Sequence, residues 1–209
     1  FSGEATLTTM AGVAAINVAK QPRATEQAEQ KPISELKAHA DLRHIRLGEL
    51  LQSKALGDLT VSIDFGGSVM NGRVWGDLSA RVNEFVLKEC RYEDVVLRGD
   101  VNNKSFSGKI SHRGEPIDME IMGIADFNGR KPLFDFTVDI ERADLHAMNI
   151  NKRDSVSVLS FKSDVYATGG NIDELNGRLI LEDGQYVYNS DTLRSSVVEL
   201  DAKSNHLRR

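Results

Sequence analysis

The 209-residue chain has one cysteine, few aromatic side chains, no long apolar run and no excess of positive charge. Each shortage removes a class of protein. A lone Cys90 forbids an internal disulfide and any zinc cage built from cysteines. Aromatics are only 6% of the residues, so large side chains are used sparingly. No stretch approaches the run of about 18 apolar residues that spans a bilayer as a helix. The most apolar window, Ala11 to Ala19, is short and broken by Asn17, and no signal peptide is visible. The formal net charge is −5, with Lys and Arg scattered singly among Asp and Glu. That is the pattern of a mixed solvated face, and it disfavours a nucleic-acid binder, which carries a basic stripe.

What is present is a chain of 40% hydrophobic residues, rich enough to escape disorder and long enough for one or two domains. Its dominant signal is period-two alternation. Leu59, Val61, Ile63 and Phe65 alternate with Thr60, Ser62 and Asp64, and Val95, Leu97 and Val101 with Arg98 and Asp100. Ile117, Met119 and Ile121 alternate with Asp118 and Glu120, and Phe134, Phe136, Val138 and Ile140 with Asp135, Thr137 and Asp139. One-sided strands of this kind belong to antiparallel sheets, because strands buried on both faces read as unbroken apolar runs. Asn71-Gly72, Asn128-Gly129 and Asp183-Gly184 are hairpin-type dipeptides, and Gly66-Gly67 and Gly169-Gly170 are expected to close two further strands. Only Leu47 to Leu56 has the spacing of a short amphipathic helix, and Lys20 to Pro32 reads as a polar loop.

An internal repeat underlies the strands. Ala40 to Leu47 resembles Val138 to Leu145 at an offset of 98, and the Gly-Gly pairs recur at an offset of 103. The expected organisation is residues 1–33 as the tail of a preceding β repeat plus the polar loop, 34–133 as repeat one, and 134–209 as a truncated repeat two. The chain thus reads as a piece excised from a longer protein.

Candidate chemistry is sparse. His39 and His44 are the only neighbouring histidines, and their five-residue separation puts them on opposite faces of a strand; all five histidines are expected at the solvent. No metal site and no cofactor is expected. Ser34-x-x-Lys37 matches a pattern of acyl enzymes but opens a strand without a second motif. Cys90 beside Arg91 has the setting that lowers a thiol pKa, yet it stands alone. Asn103-Lys104-Ser105 is a sequon on paper. Nucleophile-elbow, dinucleotide and phosphate-loop motifs are missing, and the many carboxylates fall opposite apolar residues on strands, on the wet face. The expectation is a non-enzymatic protein.

The stretch from Phe106 to Leu145 carries a family resemblance. Phe106-Ser107-Gly108-Lys109-Ile110 precedes Ile117-Asp118-Met119-Glu120-Ile121, Gly123 and Ala125-Asp126-Phe127. Pro132-Leu133-Phe134-Asp135-Phe136 and Ala143-Asp144-Leu145-His146-Ala147-Met148-Asn149-Ile150 follow. This order resembles the AsmA/TamB superfamily, particularly the TamB-like translocation and assembly proteins of Bacteroidetes, as does Cys90 to Leu97. The resemblance implies a trough-like sheet with an apolar inner wall, in the periplasm of a Gram-negative bacterium, with an inner-membrane anchor elsewhere in the parent. It also implies a BamA-like outer-membrane barrel partner, and roles in phospholipid movement and outer-membrane protein assembly. No family catalytic residue exists to carry over.

Physics gives its own reason for curvature. An antiparallel sheet with one apolar face needs a second layer, and without helices it must curl over itself. Gly66, Gly76, Gly99, Gly108 and Gly123 are placed for bulges and bends. The expected fold is therefore all-β: an elongated, curled, incompletely closed antiparallel sheet with one short helix. Phe65, Leu97, Met119, Ile121, Phe134, Phe136, Val138 and Phe161 are expected to line its groove and take phospholipid acyl chains or unfolded outer-membrane protein strands. The alternative is a chaperone-like or structural β scaffold that binds client strands at its sheet edge.

Overall fold

A computed structural model describes residues 2–9, 12–22, 34–170 and 176–203. Most of the loop expected at Lys20 to Pro32, and His206, lie outside the described residues; Lys20 to Pro22 end a strand. The protein is all-β and antiparallel, and the chain divides into two units, Phe1–Asn103 and Lys104–Arg209. The division falls inside the segment read as repeat one.

The first unit holds β1 (Ser2–Thr9), β2 (Gly12–Pro22), β3 (Ser34–Arg46), β4 (Leu56–Met70), β5 (Arg73–Leu87), β6 (Cys90–Tyr92) and β7 (Val95–Asn102). Strands adjacent in sequence pair in order, except that β5 pairs both β7 and the short β6. Between β3 and β4 lies the one described helix, α1 (Leu47–Leu50). It is a single turn, shorter than the Leu47 to Leu56 spacing suggested, because Leu51 and Gln52 leave helical geometry, Gln52 at φ 52°.

The second unit is a six-strand meander: β8 (Ser105–His112), β9 (Ile117–Asp126), β10 (Leu133–Asp144), β11 (Ser157–Thr168), β12 (Asn176–Tyr188) and β13 (Asp191–Ala202). Neither unit closes into a barrel, since its first and last strands do not pair. Apart from α1 against β4, backbone contacts within each unit run almost wholly between ladder neighbours, so each unit is a single continuous sheet.

The repeat has a structural mark. The β3–β4 register shifts between Leu42 and Ile45, and the β10–β11 register shifts between Ile140 and Ala143. The two irregularities sit 98 residues apart, at the offset of the sequence match. Each bulged strand then leads into a turn that opens on a leucine, Leu47 or Leu145.

Several local expectations change. Asn71-Gly72 does form a two-residue hairpin, with φ of 53° and 75° and Met70 opposite Arg73. Asn128-Gly129 lies in a longer β9–β10 connection, where Asp126 accepts a 2.8 Å bond from the Asn128 amide. Asp183-Gly184 is not a hairpin: it is a bulge inside β12, Asp183 at φ 51°, where two residues oppose one on β11. Gly66-Gly67 sits within β4 and does not close it, whereas Gly169-Gly170 does follow the end of β11. Glycine also plays a different part from the one expected. The register shifts do not fall at the five glycines proposed for bulges. Instead, Gly67 and Gly76 face each other across β4 and β5, so close that a Cβ on either would strike the other strand's backbone. Gly123 does the same against β10, at φ 154°. All three lie on the apolar face, so the neighbouring strands draw together on that side.

Candidate functional site

In each unit, ladder registers sort side chains into two faces. In the first, the rows Ala38–Phe65–Leu78 and Ala40–Ile63–Ala80–Leu97 run across consecutive strands. In the second, Ile110–Ile121–Val138–Ser163–Leu181 and Gly123–Phe136–Val165–Leu179 do the same. Alternation dictates this: with a period of two and neighbours in register, the alternating apolar residues fall on one side, while Met122, Ile124 and Tyr166 stand exposed on the other.

Each of the eight residues expected to line a groove is on such a face. Phe65 on β4 and Leu97 on β7 belong to the first unit; Met119 and Ile121 on β9, Phe134, Phe136 and Val138 on β10, and Phe161 on β11 belong to the second. All eight are half-buried. Phe134 and Phe136 have ring centroids 6.1 Å apart, Phe127 meets Phe134 edge-on at 5.8 Å, and the Phe136 ring lies over Gly123. Sequence reasoning missed Leu78, Val82 and Ile110 on the same faces. Their strands alternate apolar residues with small ones (Gly76, Ala80, Gly108), which dilutes the signal.

Burial describes the state of these faces. Among the described residues, the buried apolar side chains are Val61, Cys90, Tyr92, Ile117, Ile140, Ala143 and Ala167. Several of these sit beside the register shifts rather than in the middle of the apolar rows. The large side chains of the apolar rows are neither fully buried nor exposed: each keeps a minor part of its surface in contact with solvent.

Two polar groups interrupt the second unit's apolar face. Ser163, 5% exposed, lies between Val138 and Leu181, and its hydroxyl has no hydrogen-bond partner. His112 is also buried, opposite Met119, and not at the solvent as expected, because its strand position is one of the apolar ones.

The opposite faces carry charge ladders. His39 Nδ1 lies 2.7 Å from Asp64 Oδ1 and Nε2 3.4 Å from Asp41, while Ser62 Oγ donates to Asp41 at 2.6 Å. The bonds to Asp64 and then Asp41 raise the His39 pKa, and the Ser62 bond lowers that of Asp41. Arg113 bridges Asp118 at 2.5 Å, Glu141 at 3.1 Å and Glu120 at 3.5 Å, and Lys109 meets Glu120 at 2.6 Å. These pairs occupy part of the carboxylates of the wet face; Asp77 and Asp100 stand opposite each other across β5 and β7. Arg91 pairs with Glu84 and Glu93, facing away from Cys90, which is buried against Tyr92. Burial, with Cys90 adjoining, pushes the Tyr92 phenol up to about 12.

A third cluster holds a turn. Ser157 is fully buried, and its hydroxyl lies 2.9 Å from the Tyr186 hydroxyl; Asn151 Nδ2 donates to Ser157, Tyr186 and Asp154 at 3.1, 3.0 and 2.9 Å. Every polar side chain in it has a partner, so it locks residues 151–157 against β12. Among the described residues, no group of three or more His, Cys, Asp or Glu converges at metal-binding distance.

Comparison with known proteins found no match: no family model fits the chain, and no curated protein or solved structure is similar to it.

Proposed function

We propose that the apolar faces take up hydrocarbon, and that the chain is a non-enzymatic, periplasmic segment of an AsmA/TamB-like envelope protein. In this reading it carries phospholipid toward the outer membrane, or helps assemble proteins into it, with a BamA-like barrel as partner. One observation carries the proposal: rows of apolar side chains line one face of each unit's sheet and stay partly exposed, with glycines drawing the strands together on that side. Hydrocarbon laid on such a face gains about 0.8 kcal/mol per methylene, so a sheltered chain of about ten methylenes gains roughly 8 kcal/mol gross. Immobilising the lipid costs a similar amount, leaving weak and unselective binding, which suits a conduit.

Native mass spectrometry with lipid extraction tests it. Phospholipid should co-purify with the chain and be lost in a folded Phe136→Asp variant, whose carboxylate would stand unpaired among hydrocarbon. A folded chain that is lipid-free and also refuses added lipid would end this reading.

One feature favours the strand-binding alternative. β13 is twelve residues long, has β12 as its only neighbour among the described residues, and exposes Leu193, Val197, Val198 and Leu200. It has no proline and no lysine, two usual guards of a sheet edge. Capture of extended peptides that persists in Phe136→Asp and fails in Val197→Lys/Leu200→Lys would move the function from the face to this edge.

A further inference from the structure

Two turns, one in each unit, share a place in the repeat and a combination of side chains. The first follows β3 and covers residues 47–55; the second follows β10 and covers 145–156. Outside the strands, five large apolar side chains are exposed among the described residues, and four of them are in these turns. They are Leu50 at 57% and Leu51 at 64%, and Ile150 at 53% and Val156 at 42%.

Charge accompanies them. Lys54 against Glu49 leaves the first turn neutral, and Lys152 and Arg153 against Asp154 leave the second at +1, in a chain whose net charge is −5. The acids are engaged within the protein: Glu49 holds Arg46 at 2.7 Å, and Asp154 accepts bonds from Asn151 and Asn189 at 2.9 and 3.0 Å. Lys54, Lys152 and Arg153 remain exposed.

Both turns are also held in shape. The Leu51 amide donates to Leu47 and the Ser53 amide to Gly48, at 2.9 and 3.0 Å. In the second turn the Met148 and Ile150 amides donate to Asp144 and Leu145, both at 2.9 Å, and the Asn151 cluster anchors its far end. These backbones keep the apolar side chains pointed outward.

We propose that each turn is a contact for an anionic phospholipid surface. The apolar pair enters the boundary between headgroups and acyl chains, and the neighbouring Lys or Arg side chains meet the phosphates. Such a surface supplies both requirements at once, negative charge above and hydrocarbon a few ångströms below. The inference stands apart from acyl-chain binding on the sheet faces: a turn can touch a membrane whether or not the face takes lipid from it.

Vesicle flotation of the whole chain tests it, using mixed phosphatidylglycerol/phosphatidylcholine vesicles against pure phosphatidylcholine. The chain should float with the anionic vesicles and be released by salt. The variant Leu50→Ser/Leu51→Ser/Ile150→Ser/Val156→Ser should bind at least about tenfold more weakly. Lys54→Gln/Lys152→Gln/Arg153→Gln should lose the preference for phosphatidylglycerol. All seven positions are exposed, so circular dichroism should be unchanged in both variants. Failure of the unaltered chain to float, or flotation equal in all three proteins, would overturn the proposal; equal flotation would assign adsorption to the sheet faces. Co-purified lipid in the folded serine variant would separate the turns from the acyl-chain site.

Discussion

At the scale of single residues, two side chains on one strand carry opposite expectations. Phe136 and Asp135 are neighbours on β10 that face opposite ways. Phe136→Asp should abolish lipid loading or lower the melting temperature, while Asp135→Asn should do neither; thermal melts beside native mass spectra decide this. Glycines give a second contrast. Gly123→Ala meets both a strained φ and the Asp135 carbonyl, and should cost about 1–3 kcal/mol in a denaturant titration. A Cβ at Gly66 meets nothing within 4 Å, so Gly66→Ala should change stability little. His39 supplies a pH dependence. Its pKa is raised above 6.5 by Asp64 and Asp41, so its contribution is complete below 6.5 and is lost as pH rises through the raised value. Asp41 works the other way, its pKa being lowered from 3.8: its contribution is present above 3.8 and lost as pH falls through the lowered value. The melting temperature of the native chain should therefore decline as pH rises from 6.5 through the raised value, and His39→Gln should remove that decline.

Among elements, the strands were legible from alternation because one face of each is wet and the other is not. The candidate faces were legible for the same reason, down to the side of the sheet on which Phe65, Leu97 or Phe161 stands. Apart from the Asn71-Gly72 hairpin and the end of β11 at Gly169-Gly170, loops and bulges were not. Asp183-Gly184 has the chemistry of a hairpin turn, and a left-handed residue followed by glycine serves a bulge equally well. Only the register against β11 separates the two. His112 was hidden by its residue type, since a histidine at an apolar position reads as polar until its row is known. The apolar edge on β13 was hidden by weak alternation: Val197 and Val198 are consecutive, and both are exposed. An apolar edge of this kind should pair with other strands, so Val197→Lys/Leu200→Lys should reduce concentration-dependent association in sedimentation velocity.

For the molecule as a whole, the decisive property is that its apolar faces stay partly exposed. The folded chain should therefore bind an apolar fluorescent dye without being partly unfolded, and fatty acid should displace the dye. Strand order also fixes a mechanical character. In the second unit the chain enters on β8 and leaves on β13, at the two outer ladders of a sheet whose strands pair in sequence order. Tension between those points pulls across the strands, and it loads ladder bonds one after another instead of shearing many together. In an optical trap the unit should pay out as a train of short, low-force steps, each a strand peeled from its neighbour. It should re-zip in the reverse order when slack returns, behaving as an extensible tether rather than a rigid strut.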